Sequence, residues 1–144
     1  MEIYESRTTY KKVGEVPSAT TIDGPMGAVN YMRGAFRQFP LQEQVWVLQL
    51  SRKNHIVSRE MVTLGTHDAC MVEPAVIFRP AILQGSDSII VVHNHPSGIP
   101  DPSPSDMKLC QKLIECGKIM GIPLRDFIVI GHNNYWSADD KGLI

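Results

Sequence analysis

The apolar positions Ala28, Met32, Ala35, Phe36 and Phe39 recur with the period of an α-helix and form one stripe for burial. Thr21-Ile22-Asp23-Gly24-Pro25 precedes the stripe as a start signal. Asp23 is the expected N-cap, and Pro25 falls in the first turn, where a missing N–H removes no helical bond. Pro40 stops the helix. The period then shortens. Val45 to Leu50 is mostly apolar, Ser51-Arg52-Lys53-Asn54 is turn-like, and His55 to Thr63 mixes apolar with polar residues, so an antiparallel strand pair is expected. Gly65-Thr66-His67-Asp68 reads as a loop. Glu73-Pro74 opens a second helix through Gln84, with Ala75, Val76, Phe78, Ala81, Ile82 and Leu83 on its apolar side, and Gly85-Ser86-Asp87 closes it. Ser88 to Val92 is a strand apolar enough for burial on both faces. A third helix, Asp106 to Met120, packs through Leu109, Cys110, Leu113, Ile114 and Gly117 and ends at Gly121. Phe127 to Ile130, the turn Gly131-His132-Asn133-Asn134, and Tyr135-Trp136-Ser137 make a last hairpin.

This order of elements predicts an α/β fold, a mixed β-sheet with helices packed on it. The helical crossover carries the third strand back beside the first pair. With 144 residues, 43% hydrophobic and 20% charged, the chain suits one globular unit. Such a chain buries about two-thirds of its unfolded surface and needs no disulfide staples. Residues 1–39 are expected as an N-terminal arm and a helix packed on the core, and residues 40–144 as the domain proper. The arm is polar and broken at Gly14 and Pro17, with Tyr4 and Tyr10 as its candidate anchors.

Charge and cysteines narrow the setting. A formal net charge of −1 gives no global field for nucleic acid, although Arg33, Arg37, Arg52, Lys53 and Arg59 remain candidates for a local patch. The three cysteines, Cys70, Cys110 and Cys116, are odd in number and lack a Cys-x-x-Cys pair. Cys110 and Cys116 fall in one predicted helix, about 9 Å apart along its axis, too far for a bridge. Reduced thiols are expected. Met1-Glu2-Ile3-Tyr4-Glu5-Ser6-Arg7 has no apolar signal core. No stretch approaches the ~20 apolar residues of a membrane span. The expectation is a cytoplasmic protein with no membrane partner.

The chemistry gathers after the buried strand. In an extended segment alternate side chains point the same way, so His93 and His95 can face one metal ion. Asp106 follows eleven residues after His95, across a loop stiffened by Pro96, Pro100, Pro102 and Pro104. Two imidazoles and one carboxylate leave a fourth tetrahedral position of zinc open, the pattern of catalytic rather than structural sites. A bare His-x-His is more often a pair of hydrogen-bonded strand-end histidines. The longer pattern shifts that balance.

The string His93-x-His95-x7-Ser103-x2-Asp106 matches the JAMM motif, and the chain resembles the JAB/MPN+ metallopeptidases. His-Asn-His-Pro-Ser-Gly-x-Pro-x-Pro-Ser-x-x-Asp is similar to their RadC-like branch in particular. The resemblance runs from about Pro40 onward. It implies the JAB/MPN α/β sandwich, a cytidine-deaminase-like architecture. It also implies one Zn2+ per chain, with His93, His95 and Asp106 as metal ligands. Glu43-Gln44-Val45-Trp46-Val47-Leu48 resembles the region where the family places its catalytic glutamate, which makes Glu43 the proton carrier. Glu60, in the neighbouring strand, is the runner-up, and Glu73 reads as a helix-start residue. Ser103 falls on the motif serine, which steadies a tetrahedral intermediate by hydrogen bonding. Ser105 is expected to cap the third helix and leave Ser103 free. Asp101 is an alternative to Asp106 at a spacing that departs from the motif. His55, His67 and His132 read as surface histidines, His67 with Asp68 being a candidate substrate rim. Cys70 lacks a nucleophile's setting.

The resemblance implies a zinc-dependent metallopeptidase or isopeptidase-like hydrolase that cleaves an amide bond. Its partner would be a peptide or protein, including a ubiquitin-like or other amide-linked tail. Two alternatives stay open. One is a DNA-repair-associated RadC-like module acting on or binding DNA. Fuller relatives carry a helix-hairpin-helix region, and residues 1–39 contain no Gly-rich hairpin of that kind. The other is a non-catalytic, zinc-stabilised interaction domain, against which the intact motif argues.

Overall fold

A computed structural model describes residues 2–5, 9, 11–12, 21–65 and 72–144. Helix α1 (Pro25–Met32) leads through a 3-10 turn (Ala35–Gln38) into the hairpin β1 (Gln44–Leu50) and β2 (Ile56–Leu64). Then follow α2 (Pro74–Gln84), β3 (Ser88–Asn94), α3 (Pro104–Met120), β4 (Leu124–Ile130) and β5 (Tyr135–Ser137). The five strands form one mixed sheet in the order β2-β1-β3-β4-β5. β1 lies antiparallel to β2 and β3, β3 parallel to β4, and β4 antiparallel to β5. The crossover through α2 returns β3 to the free side of β1, and the sheet is α/β as the order of elements predicts.

Alternation along the strands builds two cores. Leu48, Leu50, Ile90, Val92 and Ile128 face α1, where Ala28, Val29, Met32 and Phe36 cover them. Val45, Val47, Val91, Phe127 and Val129 face the opposite way, against Ile77, Phe78 and Ala81 of α2 and Leu109 and Leu113 of α3. With helices on both faces, β3 is buried throughout and β1 and β4 at all but one position each, which explains their near-continuous apolar runs. β3 outlasts the expected Val92 because both neighbours still offer partners: Val45 and Val129 flank His93, and Ile130 flanks Asn94.

Three local expectations are corrected. Gly24, not Asp23, stands at the N-cap of α1, and it contributes no side-chain cap. The first helix is not continuous to Phe39: it ends at Met32, and the chain tightens into a 3-10 turn that still buries Phe36. Helix α3 starts at Pro104, and its cap is Ser103 rather than Ser105. Tyr4 is 83% exposed, and its hydroxyl donates to the Glu2 carboxylate within the arm, while Tyr10, Gly14, Pro17, His67, Asp68 and Cys70 lie outside the described residues. Cys110 is buried and Cys116 half-buried, both as free thiols. No helix among the described residues is long and apolar enough to cross a membrane.

Candidate metal centre

The start of β1 and the end of β3 meet at one edge of the core. Cross-strand partners share a face, and Val45 pairs with His93. Glu43, two residues before Val45, therefore comes to the same side as His93 and, one alternation later, His95. Glu43, His93 and His95 each offer one ligand atom, and these atoms lie within 4.8 Å of one another. Asp106, in the first turn of α3, closes the group from the helix layer. Its Oδ2 lies 3.1 Å from His95 Nε2 and its Oδ1 3.5 Å from His93 Nε2. Sequence residues 43, 93, 95 and 106 thus meet in space.

The backbone sets the tautomers. His93 Nδ1 lies 3.2 Å from the Gln44 carbonyl and His95 Nδ1 2.8 Å from the Ile99 carbonyl. A carbonyl only accepts, so each Nδ1 carries a proton and Nε2 is left to meet an acid or a cation. Imidazoles that bind metals are held in this way, with the other ring nitrogen donating to a carbonyl or carboxylate. Asp106 Oδ1 is buried and accepts no hydrogen bond among the described residues. A buried carboxylate with Oδ1 against His93 Nε2 and Oδ2 against His95 Nε2 offers a donor set that suits a cation of borderline softness such as zinc.

Electrostatics agrees with that donor set. Burial pushes the His93 imidazole below its ordinary pKa, against the pull of Asp106. The hydrogen bond to Asp106 raises that of His95 despite its partial burial. Burial alone would raise the Asp106 carboxyl, yet the bond to His95, the Ser103 amide and the neighbouring His93 together bring it below the usual carboxylate range. The site therefore sets the buried Asp106 carboxylate, with Glu43 nearby, against two imidazole nitrogens.

Ser103 is tied to Asp106 in a capping box. The Asp106 amide donates to Ser103 Oγ at 3.0 Å, and the Ser103 amide donates to Asp106 Oδ2 at 2.8 Å. The expectation of an unengaged serine is thus corrected: Ser103 caps the helix. Capping uses the oxygen as acceptor, which leaves the hydroxyl proton for a second partner.

The loop between the histidines and Ser103 is fastened to the β4–β5 turn. The His95 amide donates to the Ile130 carbonyl at 2.9 Å, and the His132 amide donates to the Gly98 carbonyl at 3.1 Å. Gly98 has φ +85°, and a Cβ there would stand 2.5 Å from His132 Nδ1. Only glycine meets both demands. His132, read from sequence as a plain surface histidine, covers this glycine. The other candidates stay apart. Glu60 is exposed opposite Val47, Glu73 is the exposed N-cap residue of α2, Asp101 is exposed in the loop, and His55 bridges to Thr21 at the start of β2.

A family model described as the RadC-like JAB domain matches residues 22–143. The chain is 43% identical over 103 residues to a UPF0758 protein of Methanosarcina acetivorans, covering 72% of this chain and 45% of that one. It is 40% identical over 123 residues to a UPF0758 protein of Desulforudis audaxviator, covering 85% and 53%. With a UPF0758 protein of Bacillus cereus it shares 36% identity over 130 residues, covering 90% and 57%. The chain spans about half the length of these curated relatives.

Proposed function

The chain belongs to the RadC-like JAB domain family, and from that premise we propose that it is a zinc-dependent hydrolase of amide bonds. In this reading His93 Nε2, His95 Nε2 and the Asp106 carboxylate hold one Zn2+. Zinc in such a site polarises a carbonyl and lowers the pKa of water to roughly 7. Glu43 takes the proton that water gives up and returns it to the leaving nitrogen. The Ser103 hydroxyl, whose oxygen is fixed by the Asp106 amide, donates to the charge that develops on the carbonyl oxygen. The substrate is a peptide or protein, with an amide-linked tail of the ubiquitin-like kind within the class.

One observation carries the reading: two imidazoles with carbonyl-fixed Nδ1 atoms present Nε2 to the two oxygens of one buried carboxylate, His93 to Oδ1 and His95 to Oδ2 of Asp106. Elemental analysis of wild type and His95→Ala tests the metal. About one zinc per chain, lost in the variant, is expected. A peptide and isopeptide panel then tests Glu43→Gln, which should keep its zinc and lose roughly 10²- to 10⁴-fold in rate. A wild type that takes up no zinc when it is offered overturns the hydrolase reading. A metallated Glu43→Gln with full activity removes Glu43 from it.

A further inference from the structure

The residue between the two histidines faces away from the cluster and carries a different task. At Asn94 the chain of β3 leaves β1, because the next amide, that of His95, donates to Ile130 of β4. The backbone ladder between β1 and β3 ends at Val45 and His93, so residues 42–44, although still beside β2, would lack a partner on the β3 side just where Glu43 stands. The Asn94 side chain replaces that partner. Its Oδ1 accepts the Gln44 amide proton at 2.6 Å and its Nδ2 donates to the Gln42 carbonyl at 3.1 Å. A carboxamide offers one acceptor and one donor group, as a peptide unit does, so the side chain extends the ladder across Glu43.

We propose that Asn94 is a positioning residue that fixes the Glu43 backbone against the histidine pair. Asn94 is 7% exposed, and both of its polar atoms go to the residues on either side of Glu43. Two further bonds converge there: the Gly65 amide donates to the Glu43 carbonyl at 2.8 Å, and His93 Nδ1 donates to the Gln44 carbonyl. Gln44 is itself fully buried, its Nε2 donating to the Phe39 carbonyl at 2.8 Å. Asn94 thereby couples the strand that delivers the histidines to the strand that delivers the carboxylate. The assignment of Glu43 as proton carrier rests on the hydrolase reading; the clamp itself does not.

The test joins amide hydrogen exchange on metal-free protein with steady-state kinetics on zinc-loaded protein. Asn94→Ala should speed exchange at Gln44 by about tenfold or more while the Val47 and Val91 amides keep wild-type protection. With zinc content retained, kcat should fall about 10- to 100-fold with KM little changed. On a Glu43→Gln background Asn94→Ala should add little, because the group it positions is already gone. Asn94→Asp keeps an acceptor for the Gln44 amide but sets an oxygen against the Gln42 carbonyl. It should keep Gln44 protected, lose part of kcat, and serve if the alanine variant fails to fold. Unchanged Gln44 exchange overturns the proposal, as does a kcat loss of equal size on both Glu43 backgrounds. A wild type without hydrolytic activity overturns the hydrolase reading, and the clamp is then upheld or overturned by the exchange data alone.

Discussion

Asp106 and Asp126 are both almost wholly buried, at 1% and 4% exposure, yet their carboxyls are driven in opposite directions. Burial pushes Asp126 up to about 6, even though it accepts from the Phe127 amide at 2.7 Å, the Asp139 amide at 3.1 Å and the Ser137 hydroxyl at 2.8 Å. Burial would push Asp106 the same way, but the hydrogen bond to His95, the Ser103 amide and the nearby His93 together reverse it. Both carboxyls accept from neutral donors; Asp106 alone also faces two imidazoles, which attract positive charge and help make it a ready anion. The Asp126 corner ties β4 to β5 and the turn beyond. The Asp106 corner ties the start of α3 to the two histidines at the end of β3.

The isosteric pair Asp106→Asn and Asp126→Asn tests that contrast with the largest expected effect. Asp106→Asn should weaken zinc binding by at least about 100-fold, since loss of even a supporting partner typically costs 10- to 100-fold. Asp126→Asn should leave zinc affinity within about twofold, because its bonds stay within β4, β5 and the following turn. Competition against a chromophoric chelator measures both. Equal losses would end the distinction between the two corners.

The second test is the pH dependence of stability. The folded protein holds the Asp126 proton more tightly than the unfolded chain does, its pKa being raised to about 6. The folded state therefore binds more protons between the two values. This group's contribution is fully present below about pH 4 and is lost as pH rises through about 6, by roughly 2–3 kcal/mol. Asp126→Asn should remove that slope from urea unfolding midpoints taken between pH 4 and 7. A variant with the wild-type slope would mean that the carboxyl is already ionised across the range and that its three donors outweigh burial. Cys110 shares this corner: burial first, and Asp126 second, push its thiol up to about 11, so it remains a neutral packing group.

Much of the site could be read in advance because its parts are local patterns. His93 and His95 are set by strand alternation, and Asp106 by its place at a helix start. What escaped was contact across distant segments. Asn94 is a filler position in the motif, and its function depends on residues fifty positions earlier. His132 appears ordinary until Gly98 packs beneath it. The cap of α3 was misplaced for a different reason. Ser103 and Ser105 are both good N-cap residues, and the choice is made by Asp106, which stands three residues after Ser103 and completes a capping box with it. The break after Met32 was missed because a 3-10 turn preserves nearly the same burial of Phe36 as a continued helix.

The serines beside the two aspartates give the smallest and sharpest test. Ser137 uses its hydroxyl fully, donating to Asp126 Oδ2 and accepting from the Asp140 amide at 3.1 Å. Ser103 accepts from the Asp106 amide and keeps its proton for another partner. Ser137→Ala strands a buried carboxylate oxygen and should cost about 1–3 kcal/mol of stability. Ser103→Ala removes only a cap and should cost about 1 kcal/mol. Ser103→Asn should recover that stability, because asparagine caps as well as serine. If Ser103 also donates to the substrate oxygen, hydrolysis should stay depressed in the asparagine variant, whose longer side chain spends its oxygen on the cap and places its amide protons elsewhere. Recovery of both stability and turnover in Ser103→Asn would show that capping was the residue's whole contribution, and would leave the oxyanion to another donor.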